Sequence, residues 1–186
     1  MREEIPLLNT LDMSYACTFG YRLRYGAAAH AGGILPVCSV ELSPCRFDPP
    51  FERTYDWDWT EVEGFPERVE AGDVWAAFLA GVPVGLLELR RSEWNRALWI
   101  QSLYVDAAHR RKGIGSLLVG VAIKEAERSG VRALFVETQI SDGPAIAFYL
   151  KHGFAFCGFN DHLYTNSDLR HDEVALFLVR EIGIPE

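Results

Sequence analysis

A basic, glycine-containing turn is the part of the sequence with the clearest chemical meaning. The run Arg110-Arg111-Lys112-Gly113-Ile114-Gly115-Ser116 lies between a predicted strand and a predicted helix. The first N–H groups of a helix have no partners within it, and the helix dipole makes that end positive. Because glycine has no Cβ atom, an anion can approach the backbone closely. The turn therefore predicts a phosphate-binding site, against the alternative of a basic turn without a ligand.

Two phosphate-binding motifs do not fit this turn. The P-loop requires the pattern GxxxxGK[ST], and the sequence does not contain it. The dinucleotide-binding fingerprint requires a third glycine three residues after the second one, and Leu118 stands at that position. The predicted ligand is therefore a phosphate-bearing molecule that is bound in another way.

The elements around the turn predict a mixed sheet. Residues 74–79, 82–89 and 98–105 are apolar runs joined by short turns, which is typical of an antiparallel meander. Apolar residues from Ile114 onward recur at helical spacing, and residues 133–138 are a continuous apolar strand. A strand–helix–strand segment of this kind predicts two parallel strands with a right-handed crossover.

The remaining second half predicts one more helix and two strands. Ser141 or Asp142 can cap the helix, Pro144 suits its first turn, and it ends near His152-Gly153. Residues 154–159 and 174–179 are the two closing strands. The order of elements predicts a mixed sheet with helices packed on it.

The first seventy residues carry weaker signals. Residues 21–24 and 34–42 look extended, whereas three prolines predict a loop over residues 43–51. Residues 55–63 form an acidic aromatic run that includes Trp57 and Trp59. This run either lines a site for an ammonium group or is a loop whose tryptophans pack on the core.

Composition limits the classes of function. The chain has 186 residues, 49% of them apolar, and a formal net charge of −8, which opposes non-specific nucleic-acid binding. We expect no metal, because no CxxC pair occurs and the histidines lack ligand spacing. No stretch reaches the roughly 18 apolar residues of a membrane span, and no signal-like apolar core follows Met1. We expect one cytoplasmic domain over residues 1–186 that contacts no membrane.

Two blocks resemble the GNAT superfamily of N-acetyltransferases. Arg110-x-x-Gly113-x-Gly115 after Leu103-Tyr104-Val105 is similar to the acetyl-CoA motif of that superfamily, and Ala145-x-x-Phe148-Tyr149-x-x-x-Gly153-Phe154 is similar to its later helix and strand. The resemblance covers residues 72–180, the expected acetyl-CoA-binding core. It implies an α/β (α+β) fold with a mixed, mostly antiparallel central sheet, a splayed parallel strand pair and flanking helices. Residues 1–70 would then form a variable acceptor side.

A narrower resemblance concerns the acceptor. Trp94-Asn95-Arg96, Glu137-Thr138-Gln139 and Leu163-Tyr164 are similar to segments of streptothricin acetyltransferases. In that group the acceptor is a cationic β-lysine amine of an antibiotic. The resemblance implies a primary amine of a small cationic molecule as acceptor, and Trp57, Trp59, Trp94 and Glu137 are the candidate substrate-binding residues.

The resemblance also implies how the co-substrate is held. The pyrophosphate of acetyl-CoA would lie on the backbone N–H groups of residues 111–116, and its pantetheine arm would run beside Leu103, Tyr104 and Val105. Asp142 stands where the family often has a cofactor-contacting Asn. The candidate cofactor-binding residues are Leu103, Tyr104, Val105, Arg110, Arg111, Lys112, Gly113, Ile114, Gly115, Ser116, Asp142, Ala145, Phe148 and Tyr149.

Direct acetyl transfer needs a proton donor for the thiolate and a base for the amine. By resemblance Tyr149 is the general acid, and a phenol pKa of about 10 suits a thiolate leaving group. The base stays open between Glu88, Glu137 and a chain of water molecules. Acetylation of protein N-termini or lysines, and a non-catalytic acyl-CoA sensor, remain alternative functions, and both a monomer and a homodimer remain open.

Overall fold

Strands and helices alternate along the chain in a computed structural model that describes residues 2–26 and 39–183. The elements are α1 (Ile5–Leu8), β1 (Tyr15–Tyr25), β2 (Val40–Arg53), α2 (Phe65–Ala71), β3 (Val74–Leu79), β4 (Val82–Ser92), β5 (Ala97–Val105), α3 (Ile114–Arg128), β6 (Ala133–Gln139), α4 (Gly143–Lys151), β7 (Ala155–Asn160) and β8 (Ala175–Glu181). From β3 onward the elements follow the order that the sequence predicts.

The central sheet has six strands in the spatial order β3-β4-β5-β6-β8-β7. Its one parallel pair is β5 with β6, and the other neighbours are antiparallel. Helix α3 forms the crossover between β5 and β6, and it buries Leu118, Val119, Ala122 and Ala126 against the sheet. The predicted mixed, mostly antiparallel sheet with flanking helices is therefore confirmed.

The parallel pair separates partway along its length. Parallel pairing runs from Ala97 opposite Ala133 to Ile100 opposite Val136 and then ends. Beyond that point β5 stays paired with β4 as far as Val105, and β6 stays paired with β8 as far as Gln139. The ends of β5 and β6 therefore diverge, and within residues 2–26 and 39–183 the backbone edges that face the divergence have no strand partner. This confirms the predicted splay.

The N-terminal strands form a separate hairpin that packs over the carboxyl end of β6. Strands β1 and β2 pair with each other, and the Tyr21 N–H donates to the Ile140 carbonyl at 2.8 Å. Leu23 packs with Ile140 and Ile146 in a small core of its own. The hairpin therefore covers the region of the β5–β6 divergence nearest to α4.

The predicted loop over residues 43–51 is wrong, because β2 runs through it. Pro44 pairs opposite Tyr21, whereas Pro49 and Pro50 fall where the register shifts between Phe51 opposite Cys17 and Arg46 opposite Phe19. Proline lacks only the N–H donor, so an edge strand or a bulge accepts it. Of the predicted extended segment 34–42, residues 34–38 lie outside the described residues and 40–42 belong to β2.

A second core lies under the first seventy residues. Trp59 and Phe65 are 1% and 0% exposed, with ring centroids 4.7 Å apart, and they pack with Ile5 and Leu86. The side chain of Glu88 in β4 is 3% exposed; it accepts a hydrogen bond from the Ser102 hydroxyl at 3.0 Å and pairs with Arg68 of α2 at 2.5 Å. This ion pair, in which the Arg68 side chain remains 30% exposed, fastens α2 to the sheet.

The predicted C-terminal strand lies inside the sheet. β8 pairs with β6 on one side and with β7 on the other. Its backbone edges are therefore occupied within one chain over the paired residues. A homodimer in which this strand pairs with its copy in a second chain does not fit this topology.

Two glycine variants test the docking of the hairpin on α4. A Cβ atom at Gly143 would lie 2.4 Å from the Phe19 ring and 2.5 Å from the Phe19 carbonyl, so we expect Gly143→Ala to cost about 1–3 kcal/mol of unfolding free energy. Gly120 in α3 has nothing within 4 Å of such an atom, so Gly120→Ala should stabilise by about 0.5–1 kcal/mol. Chemical denaturation measures both, and equal effects would contradict this packing.

Removal of the Glu88 carboxylate tests whether its role is structural. Glu88→Ala leaves Arg68 without its partner, so we expect a loss of about 3 kcal/mol in unfolding free energy. Glu93→Ala is the control, because that side chain is 82% exposed and should change stability by less than about 0.5 kcal/mol. A Glu88→Ala variant with unchanged stability and abolished turnover would instead indicate a catalytic base.

Candidate functional site

The predicted phosphate-binding turn connects β5 to α3. Asp106 opens it by accepting from the Ala108 N–H at 3.1 Å and from His109 Nδ1 at 2.7 Å. Gly113 precedes α3 with φ of +88°, a conformation that disfavours residues with a side chain. The Leu117 N–H donates to the Gly113 carbonyl, so the N–H groups of Ile114, Gly115 and Ser116 precede the first bond of the helix. The turn therefore presents bare N–H groups at a positive helix end.

The three basic residues of the turn differ in what they do. Arg110 is partly buried, and its Nε donates to the Val105 carbonyl at 3.0 Å, which fixes the turn to the end of β5. Arg111 and Lys112 are exposed, with the Lys112 ammonium 2.9 Å from the Ala108 carbonyl. Positive charge thus lies beside the start of α3, where an anion would be stabilised.

Predicted cofactor-binding residues from three elements meet next to the turn. A Cβ atom at Gly115 would lie 3.3 Å from the Phe148 ring and 3.7 Å from a methyl group of Val105. Ala145 and Phe148 pack against the main core, as does Leu103. The glycine therefore lets α3 approach both α4 and the end of β5, and these residues form one side of the β5–β6 divergence.

Tyr149 is a buried residue of α4, directly after Phe148. It is 6% exposed, with the rings of Phe148 and Phe154 at 5.3 Å and 5.5 Å. Its hydroxyl forms no hydrogen bond to any side chain or backbone group in the described parts of the chain. Burial raises the pKa of the Tyr149 phenol, and the negative charges of Asp142 and Glu137 raise it further. Tyr149 is therefore a protonated donor at neutral pH.

Glu137 follows the last parallel residue pair, on the β6 side of the divergence. One of its carboxylate oxygens accepts a hydrogen bond from the Tyr164 hydroxyl. Burial raises the pKa of Glu137, and the Tyr164 hydrogen bond and the charge of Arg53 partly oppose that shift. The carboxylate is thus held in a partly dehydrated position, where a cationic partner would bind strongly.

Asp142, the second predicted carboxylate, is engaged with the protein. It caps α4 by accepting from the Ala145 N–H at 2.9 Å, and its oxygen lies 3.6 Å from the Cys17 sulfur. Burial raises the pKa of Asp142, against the Ala145 and Cys17 hydrogen bonds and the charge of Arg110. Asp142, rather than Ser141, is therefore the helix cap that the sequence left open.

Aromatic rings cluster near the diverging ends of β5 and β6. Tyr55 lies 5.5 Å from Tyr104 and 6.3 Å from Tyr15 between ring centroids, and Trp57 lies 5.7 Å from Tyr104. The Tyr15 hydroxyl donates to Gln139 at 3.1 Å. Burial raises the pKa of Tyr15, Tyr55 and Tyr104, so these phenols stay neutral and offer hydroxyl groups and ring faces.

The predicted substrate-binding residues do not all meet at this point. Trp57 is 42% exposed and belongs to the aromatic wall, whereas Trp59 is buried in the second core, where no ligand reaches it. Trp94 is 89% exposed in the turn between β4 and β5, before the start of β5 and away from the diverging end. Glu88 is closed off by Arg68 and Ser102.

Several residues of this region carried no local signal in the sequence. Tyr15 and Arg53 face each other at the open end of the hairpin, and Tyr164 comes from the long connection before β8. The Tyr15 hydroxyl bonds to Gln139, whereas Tyr164 and Arg53 act on Glu137, and these partners on β6 are far from them along the chain. Of Tyr15, Arg53 and Tyr164, only Tyr164 stood out, as part of the narrower resemblance. Long-range pairing of the hairpin is what brings the others to the site.

Two negative findings concern the described residues. Within ranges 2–26 and 39–183 no cluster of three or more His, Cys, Asp or Glu side chains has a metal-binding arrangement. The helices in the same part of the chain are all too short or too polar to cross a bilayer.

Comparison with known proteins identifies the family. Residues 38–154 match the model of the Acetyltransferase (GNAT) family. Streptothricin acetyltransferase A of Bacillus subtilis (strain 168) is 30% identical over 132 residues, 71% of this chain and 74% of that protein. Streptothricin acetyltransferase of Streptomyces lavendulae is 39% identical over 80 residues, 43% of this chain and 42% of that protein.

A solved structure agrees with this assignment. The crystal structure of nourseothricin acetyltransferase has a TM-score of 0.76 and 26% sequence identity, covering 98% of this chain and 95% of that one. Members of the family use acetyl-CoA, whose diphosphate suits the N–H groups and cations of the turn before α3. The splayed sheet, the basic turn before α3 and the family match lead to one conclusion: this chain is an acyltransferase of the Acetyltransferase (GNAT) family.

Proposed function

We propose that this enzyme transfers the acetyl group of acetyl-CoA directly to a primary amine of a small cationic acceptor of the streptothricin class. The observation that carries the proposal is the partly dehydrated Glu137 carboxylate, surrounded by phenol rings and close enough to Tyr149 for its charge to raise the pKa of that phenol. Carboxylates and aromatic faces both favour an ammonium group. Two relatives named for streptothricin support the same class of acceptor.

In this proposal the co-substrate takes the basic side of the divergence. The diphosphate binds the N–H groups of residues 111–116, with Arg111 and Lys112 nearby. The pantetheine arm lies along Leu103, Tyr104 and Val105, where β5 has no strand partner toward β6. Phe148 and Ala145 of α4, which pack against the core, form the opposite side of this channel for the arm. Residues 72–180 then form the acetyl-CoA-binding core and contribute Glu137 to the acceptor side, and residues 1–70 supply the rest of that side.

The chemistry needs no covalent enzyme intermediate. The neutral amine attacks the thioester carbonyl, a C–N bond forms, the nitrogen releases its second proton to water, and the C–S bond breaks. Tyr149 donates its proton to the departing thiolate and regains one from water. The Val105 N–H polarises the carbonyl oxygen as negative charge develops on it.

The proton that the amine loses passes to water rather than to Glu88. Glu88 is held by Arg68 and Ser102 away from solvent, so it has no path to the acceptor. Glu137 binds the ammonium form of the acceptor and orients it. Water on the open acceptor side then accepts the proton before attack.

An acceptor panel tests the proposed reaction. Purified enzyme with acetyl-CoA is given streptothricin, an aminoglycoside, a polyamine and an N-terminal peptide, and free thiol is measured. The proposal predicts the highest kcat/KM for streptothricin. Turnover of the peptide alone would contradict it in favour of protein acetylation, and binding of acetyl-CoA with no turnover of any amine would indicate a sensor.

Substitution of Tyr149 tests the proton donor. Tyr149→Phe keeps the ring packing but removes the hydroxyl, so we expect kcat to fall by about 100-fold or more with the affinity for CoA unchanged. Tyr21→Phe, on the hairpin, is the matched control and should keep wild-type kcat. An unchanged kcat in Tyr149→Phe would exclude the phenol as acid.

The pH dependence tests Glu137. Its pKa is raised, so the charged form that binds an ammonium group is lost as pH falls through a value above the ordinary 4.5. We therefore expect kcat/KM for the amine to have an acidic limb above pH 4.5, and Glu137→Gln to remove that limb. The variant should also lose about 30-fold in kcat/KM at neutral pH, as expected for a hydrogen bond to a charged group.

The control for this profile is Glu52→Gln, an exposed carboxylate on β2. It should keep both the acidic limb and the wild-type kcat/KM. An acidic limb that survives in Glu137→Gln would show that another group controls acceptor binding.

A further inference from the structure

A buried carboxylate organises the connection between β7 and β8. Asp168 is 0% exposed, and its two oxygens accept hydrogen bonds from the Tyr164 N–H at 2.9 Å, the Thr165 N–H at 2.7 Å and the Thr165 hydroxyl at 2.6 Å. Three donors from two consecutive residues fix the local backbone. The side chain of Asp168 therefore fixes the position of the Tyr164 backbone.

The backbone of Asp168 extends this control in the other direction. Its carbonyl accepts from the His171 N–H at 3.2 Å and from the Glu173 N–H at 3.0 Å. Glu173 forms an ion pair with Arg53 of the hairpin. Asp168 thus holds both ends of the segment from residue 164 to residue 173. At one end is Tyr164, and at the other is Glu173 with its partner Arg53.

The two side chains fixed in this way both act on Glu137. The Tyr164 hydroxyl donates to the Glu137 carboxylate although the Tyr164 side chain is 38% exposed, and Arg53 acts on Glu137 by its charge. A half-exposed tyrosine on an irregular segment would sample several rotamers unless its backbone were held. The backbone bonds to Asp168 supply that restraint.

We infer that Asp168 is a positioning residue that holds the Tyr164 hydroxyl on Glu137 and thereby orients the acceptor-binding carboxylate. This inference rests on the proposed function, in which Glu137 binds the cationic acceptor. Asp168 does not contact the substrate itself, since its oxygens are occupied by Tyr164 and Thr165 and it is closed to solvent. It therefore controls selection of the acceptor and leaves the acetyl-CoA side unaffected.

The test compares Asp168→Asn, Tyr164→Phe and the double variant by two readouts. The first is the Glu137 pKa, followed from its carboxyl carbon by NMR in the protein without ligands. Tyr164→Phe removes a donor to the charged form, so the pKa should rise, by about half a unit or more. Asp168→Asn should raise it by a similar amount, and the double variant by no more than either one.

Other groups near Glu137 are unchanged in this comparison. The charge of Arg53 from β2 lowers the pKa of Glu137. The charge of Glu137 in turn raises the pKa of the phenols of Tyr55, Tyr104 and Tyr149. A shift common to Asp168→Asn and Tyr164→Phe is therefore assigned to the Tyr164 hydrogen bond. If Asp168→Asn left the Glu137 pKa at its wild-type value while Tyr164→Phe moved it, the inference would be overturned.

The second readout is kinetic. Asp168→Asn should raise KM for the amine about five-fold and leave KM for acetyl-CoA unchanged, whereas a general loosening of the fold would raise both. If Asp168→Asn fails to fold, Thr165→Val removes only one of the three donors, and it must still raise the Glu137 pKa. No shift in that variant would overturn the inference.

The two readouts also separate this inference from the proposed function. Suppose that the wild-type enzyme turns over no amine, but that Asp168→Asn and Tyr164→Phe both shift the Glu137 pKa. The proposed acceptor would then be refuted, and the positioning role of Asp168 would be supported.

Discussion

The separation of β5 from β6 is the constraint on which the rest of the structure depends. Parallel pairing stops after Ile100 and Val136, although each strand continues beside its other neighbour. Backbone N–H and C=O groups that lose a strand partner inside a sheet must find another partner, in water or in a ligand. An extended amide-containing arm such as pantetheine can replace the missing strand. Helix α3 begins next to this gap because the crossover from β5 to β6 starts there, so a polar gap and a positive helix end arise from one topological feature.

Charge is divided across that gap. Arg111 and Lys112 lie beside the start of α3, whereas the partly dehydrated Glu137 carboxylate lies on β6, after the last parallel residue pair. An anionic co-substrate and a cationic acceptor would thus enter opposite halves of one cleft, each disfavoured in the other half. Burial and the charges of Asp142 and Glu137 raise the pKa of Tyr149, which keeps this phenol protonated at neutral pH.

The sequence predicted the second half of the fold closely, because its signals are local. The helical stripe from Ile114, the short turn between the strands 74–79 and 82–89, and the cap at Asp142 each depend on a few adjacent residues, and the structure follows them. The first half depends on long-range contacts. β2 contains three prolines and forms only because it has β1 as its partner, and Trp59 belongs to a core whose other members come from α1, α2 and β4. The surroundings of Glu137 were therefore less predictable, since Arg53 and Tyr164 reach this carboxylate, and Tyr15 reaches Gln139, through tertiary structure alone.

Hydrogen exchange on acetyl-CoA binding tests the central claim most directly. The account predicts that acetyl-CoA slows exchange of backbone amides in residues 101–105 and 113–116, where strand pairing and helix bonding are incomplete, and leaves residues 97–100 as they were. These last amides belong to the part of β5 that is already paired with β6. Acetyl-CoA binding that protects neither 101–105 nor 113–116 would contradict the account.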